Sequence, residues 1–532
     1  MTTLTFRALF MHAVPERKVF EISNLSAEMM QLIINFAYTG SVSVTEDNVQ
    51  QLFEAADQFL VTGIVQACCS FLEKNLTSEN CIGIWQFTNF CFGPELRETA
   101  FYYILHNFNE VMYTQEFLQL SGEELQYILD RDDLNVVKEK SVCEAILRWI
   151  DVNPEERNKY FAGLLSKVRL ALTSLRYIRT LMSSSAVRRD VECAKVVRHA
   201  RKIKLQMGKE SPTLLFCSNH MGRPRLPSAI LFACGSLPGR NLANVTEVYD
   251  MRINSWTNVT IPQETPFCYH STVFYNGFIY WVGGFNGEKS NNSVYRFDVK
   301  NHTFLEVGPM HHCRCFLSAA VLDGYIYAIG GRDGTERLKT AERYSPKTNQ
   351  WSFIASMHDR RSDAGCAVLH NRIYICGGSD GHQFHRHCEY YCPDMNLWTW
   401  FTSMNLRRSG LSIVAYEDQI FAVGGFSGSV CIRSVEAYNP HDDAWHEKPD
   451  TLFPHSGSGI GVIDNKIIVV GGFNGTETSN KAEYYDLNTH RWHEACQMKN
   501  SCTVLSCCVV PGIPNIAEYT ISRDTLPLLK VL

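Results

Sequence analysis

Two rhythms of apolar and polar positions divide the chain. Up to about residue 205 the apolar residues recur at helical spacing. In "VTEDNVQQLFEAADQFLV", Val49, Leu52, Phe53, Ala56, Phe59 and Leu60 fall on one helix face, with Thr45 as the expected N-cap. "SENCIGIWQFTNFCFGPELRETAFYYILHNF" predicts two helices broken at Gly93–Pro94, with the Glu95 carboxylate in the first turn of the second, where it suits the helix dipole. "KEKSVCEAILRWI" continues the pattern through Val142, Ala145, Ile146 and Trp149. In the basic run "RRDVECAKVVRHARKIK", Val191, Ala194, Val197 and Ala200 give a helix an apolar side, so its cations read as a solvated helix face. Gly and Pro then break all periodicity over 206–226, which reads as a linker.

The rest repeats itself. Twin glycines stand at 283–284, 330–331, 377–378, 424–425 and 471–472, each 47 residues after the last. One aromatic follows in the same register (Phe297, Tyr344, Tyr391, Tyr438, Tyr485), then another (Phe304, Trp351, Trp398, Trp445, Trp492). An earlier unit carries Gly235–Ser236, Tyr249 and Trp256 one residue out of step, making six units. Within each unit the period is that of strands: "GYIYAIGG" and "NKIIVVGG" are β-branched and aromatic runs, followed by Asn-Gly or Asp-Gly turn signals. Four strands in 47 residues, repeated, predict a β-propeller. The glycine pairs suit inner positions where blades approach the axis, and the aromatics would fill the space between blades. The first unit opens at "AILFACGS" without a preceding strand, while "TVLSCCVV" is a surplus strand at the far end, so the two should pair and close the ring.

Composition narrows the function. The chain has 532 residues, too many for one ordinary core, and is 45% hydrophobic with 20% charged residues. A net charge of -5 gives no general attraction to nucleic acid or an anionic membrane. No run approaches the ~18 apolar residues of a membrane span, and the first residues lack the pattern of a secretory signal. The 20 cysteines are scattered, which reads as reduced, mostly buried thiols of a cytoplasmic protein.

These repeats resemble Kelch repeats, and the helical half resembles the rest of the kelch-like (BTB–BACK–Kelch) family. "LSAEMMQLIINFAYTGSVSVTEDNVQQLFEAADQFLV" is similar to the second half of a BTB domain. "LTSENCIGIWQFTNFCFGPELRETA" is similar to the start of a BACK domain with its 3-box, and "LNVVKEKSVCEAILRWI" to that domain's later core. The expected fold class is multidomain: a partial α/β BTB domain (1–75) and an all-α BACK domain (76–205), a linker (206–226), an all-β six-bladed Kelch propeller (227–511) and a tail (512–532).

The resemblance implies a substrate adaptor of a cullin-3 ubiquitin ligase. BTB and BACK would hold cullin-3 and the propeller rim a protein substrate; the adaptor itself would perform no chemistry and need no cofactor. Family elements that carry the dimer interface precede "FRALF", which here begins at Phe6, so a homodimer is a weakened expectation. A non-ligase Kelch scaffold, for example for cytoskeletal proteins, is the second reading that this front end leaves open. A hydrophobic-x-Glu motif at the family's cullin face corresponds to Val14-Pro15-Glu16.

For the substrate, the family implies contacts at an Arg four residues after the Met that ends a blade: Arg314, Arg361 and Arg408, with Arg360 and Arg407 beside the last two. These would form a positive arc suited to carboxylate or phosphate groups. The other blades carry Phe267, His455 and Cys502 there. A second implied contact column is Ser293, Thr340, His387, Ser434 and Lys481.

One cluster invites a metal reading: "DGHQFHRHCEYYC", Asp380 to Cys392. On a strand, Cys388 and Cys392 would lie roughly 13 Å apart, whereas two sulfurs on one zinc lie within about 4.6 Å. His385 and His387 are two ligands, and two ligands are not a site, so no metal is expected. Nor is an enzyme: twin glycines without a following helix are not a phosphate loop, and a copper-oxidase-like Kelch propeller would need a site that only this cluster offers.

Overall fold

A computed structural model describes residues 25–91, 93–210, 216–236, 244–261 and 268–527. The chain forms two compact units, one of helices and one of strands, meeting in sequence at Arg225 and Leu226.

The helical unit follows the apolar rhythm. Ser26 caps the helix Ala27–Thr39 by accepting the Met29 N–H at 3.2 Å. The stripe beginning at Val49 forms the helix Val49–Gln58, with Leu52, Phe53, Ala56 and Phe59 buried. Two details differ from expectation. Thr45 is not the N-cap: Asn48 occupies that position, and its side-chain oxygen accepts the Thr45 N–H at 2.9 Å. Leu60 is 60% exposed, because the helix ends at Gln58 and a left-handed backbone (φ 56°) turns this side chain outward.

Pro94 opens the helix Pro94–His106 directly after Gly93, and Glu95 lies in its first turn. The helix Glu139–Val152 buries Val142, Ala145, Ile146 and Trp149. The last helix, Val191–Glu210, buries Cys193, Val197, Ala200, Ile203 and Met207. Its buried stripe advances by three and four residues, so Val191, expected inside, is exposed, and Arg198, Arg201 and Lys202 face solvent. This helix runs into the stretch expected to be a linker. Beyond it Cys217 and Met221 are buried in the same helical core, and Arg225 Nε bonds Glu139 Oε1 at 2.6 Å.

The second unit consists of six four-stranded antiparallel sheets, the six blades of a propeller. Blade 4 is typical: Gly365–Leu369, Arg372–Cys376, Cys388–Cys392 and Leu397–Phe401, in that order from the axis outward. First strands of successive blades touch one another around the axis. The ring closes as the sequence predicts: Thr503–Pro511 pairs antiparallel with Ala229–Ser236, placing Val509 opposite Leu231, so blade 1 is built from both ends of the repeat region.

The repeated residues have separate jobs. Tyr391 pairs across strands with Trp398, with rings 5.3 Å apart, and Tyr344–Trp351, Tyr438–Trp445 and Tyr485–Trp492 do the same. Each Trp then reaches the preceding blade: Trp398 Nε1 donates to Ala355 O and Trp351 Nε1 to Gly308 O, both at 2.8 Å. The first glycine of each pair must be glycine. At Gly377 φ is +65°, and a Cβ would strike the carbonyl oxygen of Arg408 in the next inter-blade loop.

Candidate substrate-binding rim

In blades 2 to 6 the loop between the second and third strands and the loop that enters the blade lie at the same end. Bridges tie them together, as Ser379 pairs with both Ser362 and Phe384. This twin-glycine end is the rim on which the implied contacts were placed.

The arginine column is there but faces inward, which corrects the expected positive arc. Arg314, Arg361 and Arg408 are all 1% exposed or less. Arg361 Nη2 meets Glu389 Oε1 at 3.0 Å, and its Nη1 donates to the carbonyls of Gly377 (2.8 Å) and His387 (2.7 Å). Arg314 makes the same set with Glu342, Gly330 and Thr340, and Arg408 with Glu436, Gly424 and Ser434. Burial pulls the Arg314 and Arg408 pKa below the usual arginine value, against the pull of Glu342 and Glu436. Glu342 is opposed by burial too, but Arg314 and the donors of His311 prevail and hold its carboxyl below the usual range. Each arginine thus joins the blade before it to the blade after it. A guanidinium is recruited because its planar fork reaches a carboxylate and two carbonyls at once.

The blades that lack the Arg solve the same problem differently. His455 is wholly buried, with Nε2 2.6 Å from Glu483 Oε1 and Nδ1 2.9 Å from Gly471 O. Where Cys502 stands, Glu247 instead receives the N–H groups of Lys499 and Asn500 and the Asn500 side chain. Phe267 lies outside the described residues.

The second column is more accessible. His387 is exposed, and Ser293, Thr340, Ser434 and Lys481 are partly so. Thr340 and Ser434 hydroxyls accept from Arg314 and Arg408 Nη2 at 3.0 and 2.8 Å, so they buttress the arginines. Lys481 Nζ lies 3.6 Å from Glu494 Oε1 and over the Phe453 ring. The cations actually presented to solvent are one place away from those expected: Arg360 and Arg407, together with Lys339, Arg386 and Arg433, which recur at 47-residue spacing on blades 3 to 5. Arg360 is tied to Glu336.

Sequence reasoning missed a column nearer the axis. Tyr269, Phe316, Asp363, Gly410 and Gly457, again 47 apart, all have positive φ. Their backbones form a chain of bonds from blade to blade: Phe316 N to Tyr269 O (2.9 Å), Asp363 N to Phe316 O (3.0 Å), Gly410 N to Asp363 O (2.8 Å) and Gly457 N to Gly410 O (2.7 Å). Two glycines and an Asp in one register were the available signal. Burial pushes the Asp363 carboxyl up to about 6, although the Ser362 hydroxyl and Arg337 favour its charge.

In "DGHQFHRHCEYYC" the two cysteines are buried in the third strand of blade 4. His385 and His387 stand in the loop before it, and Asp359, from the preceding inter-blade loop, joins them. The three donor atoms lie within 4.8 Å of one another. Val14 and Glu16 lie outside the described residues. On the helical unit, Asp57, Trp85, Asn89, Phe90, Arg97 and Tyr127 line a groove of about 640 Å³, in which Phe90 is 88% exposed.

A helical BTB–BACK unit followed by a closed Kelch propeller is the class that this architecture defines. Family models agree along the chain: BTB/POZ domain over 2–76, BTB And C-terminal Kelch over 81–183, the KLHDC2/KLHL20/DRC7 Kelch-repeats domain over 227–407, and Kelch motif over 407–451 and 454–499. Kelch-like protein 5 of Homo sapiens is 33% identical over 257 residues, which is 48% of this chain and 34% of that protein. The chain belongs to the kelch-like family. The match spans about a third of that relative's length.

Proposed function

We propose that the protein is a substrate-recognition adaptor of a cullin-3 type ubiquitin ligase in the cytoplasm. The observation that carries this reading is the union, in one chain, of BTB and BACK matches with a closed six-bladed propeller. An adaptor of this kind raises the local concentration of substrate lysines near the ubiquitin-conjugating enzyme and does no bond-making itself. The aromatic groove around Phe90 is offered as the cullin contact: Trp85 and Tyr127 lie parallel at 6.5 Å beside it. On the propeller, exposed Lys339, Arg360, Arg386, Arg407 and Arg433 favour an acidic segment of the substrate, with His387 and Lys481 as further contacts.

Affinity purification of the 532-residue chain from cells tests the reading. Cullin-3 is expected to co-purify and to be lost with Phe90→Glu, a change at an exposed position that leaves the fold intact. Absence of cullin-3 from the folded wild-type chain would overturn it.

A further inference from the structure

We propose that Asp359, His385 and His387 form a binding site for one divalent ion of the zinc class on the rim of blade 4. The inference does not depend on the adaptor reading, although His387 serves in both.

The geometry brings together a donor set that the sequence keeps apart. Nδ1 of His387 lies 3.4 Å, and Nδ1 of His385 4.0 Å, from the same Oδ2 of Asp359. Ligands at about 2.0–2.1 Å from a tetrahedral zinc stand roughly 3.3 Å apart, so closing the site needs shifts of around an ångström. The exposed ring of His387 and the part-exposed Asp359 have the freedom to supply them; His385 is 3% exposed and fixed.

The fixed ligand is already prepared. Nε2 of His385 is 3.2 Å from the Arg360 carbonyl oxygen. A carbonyl only accepts, so the proton sits on Nε2 and the Nδ1 lone pair faces Asp359. This is the arrangement in which metal-bound histidines are held by their second nitrogen.

Charge does not oppose a cation. Arg361 Nη2 is 3.5 Å from Asp359 Oδ2, but its charge is matched by Glu389 at 3.0 Å. Asp380 Oδ2 lies 4.0 Å from His385 Nε2, adding a second carboxylate beside the site. Two imidazoles and one carboxylate suit zinc and its neighbours better than calcium or magnesium, which prefer all-oxygen shells. Three protein ligands leave one position open, on a side that solvent reaches.

The test uses the full chain, stripped with a chelator and titrated with zinc and with cobalt. One equivalent of zinc is expected to bind, to raise the thermal midpoint, and to disappear in Asp359→Asn with His387→Ala. Circular dichroism checks that the variant is folded; both substituted side chains reach the surface. The cobalt complex should show d–d bands without thiolate charge transfer. Equal zinc uptake by wild type and variant, no uptake by either, or a thiolate band from one of the 20 cysteines would each overturn the proposal.

Discussion

Arg361 and Glu389 meet at 3.0 Å with both side chains wholly withdrawn from solvent, Glu389 coming from the third strand of blade 4 and Arg361 from the loop between blades 3 and 4. The same residue's carbonyl accepts the Gly331 N–H of blade 3 at 2.8 Å, while its guanidinium reaches Gly377 O of blade 4. One residue therefore closes the seam between two blades, and 47 residues to either side Arg314 and Arg408 do the same.

Arg361→Ala should therefore act on stability first. It leaves Glu389 buried without its cation, a loss on the order of 3–5 kcal/mol. Arg361→Lys restores the charge but cannot reach the carboxylate and both carbonyls together, so it should fall between wild type and Ala. Urea unfolding of the three proteins gives the order; an Ala variant as stable as wild type would show that the seam does not depend on this pair.

Gly377→Ala should cost on the order of 3 kcal/mol, combining left-handed strain with a collision against backbone. Gly277 is the control. Its φ of +83° also lies on the left-handed side, but nothing stands within 4 Å of an added Cβ. Gly277→Ala should carry the strain alone and lose less. Thermal midpoints of the two variants compare them directly.

Asp363 sets a pH dependence whose sign is fixed by its environment. Burial raises its carboxyl from 3.8 to about 6. The folded state therefore holds the proton more tightly than the unfolded chain. Stability from this group is greatest below about pH 4, falls as pH rises through 6, and is level above. The rise corresponds to roughly 3 kcal/mol, reduced to about 2 by the residue's remaining exposure. Asp363→Asn removes the penalty, keeps an acceptor for the Ser362 hydroxyl, and suits φ 55° well. The variant should be more stable than wild type at pH 7.5, and its advantage should vanish near pH 4. Denaturant melts at the two pH values measure both.

Much of this was legible because the repeat imposes it. A 47-residue register exposes the blades, the twin glycines, the aromatic pairs and the strand exchanged between the ends of the ring. What the register cannot say is which way a side chain points. Arg361 and Arg360 are neighbours in a loop, yet one is sealed against Glu389 and the other faces solvent. The Glu of the "ExY" strand was the clue: a carboxylate that recurs with the arginine, at 0% exposure in Glu342, Glu389 and Glu483, needs a buried cation or imidazole. Asp359 was missed for another reason. It lies 26 residues before His385, and only the folding of two loops onto one rim brings them together.

The neighbouring arginines separate recognition from stability. Arg360 and Arg407 are exposed, and Arg360 meets Glu336 and the Arg337 carbonyl at the surface, where the loss of such an ion pair is worth about 0–1 kcal/mol. Replacing both by Glu should leave the unfolding midpoint close to that of wild type. It reverses two charges on the rim, so an acidic substrate segment should bind more weakly and with less dependence on salt, because rim charges steer association. Arg361→Ala and Arg408→Ala should instead lower binding only as far as they unfold the propeller. Capture of ubiquitination targets by each variant at two salt concentrations, with melts run in parallel, distinguishes the two. If Arg360→Glu with Arg407→Glu keeps full capture at low salt, the basic face of blades 3 to 5 is not where the substrate sits.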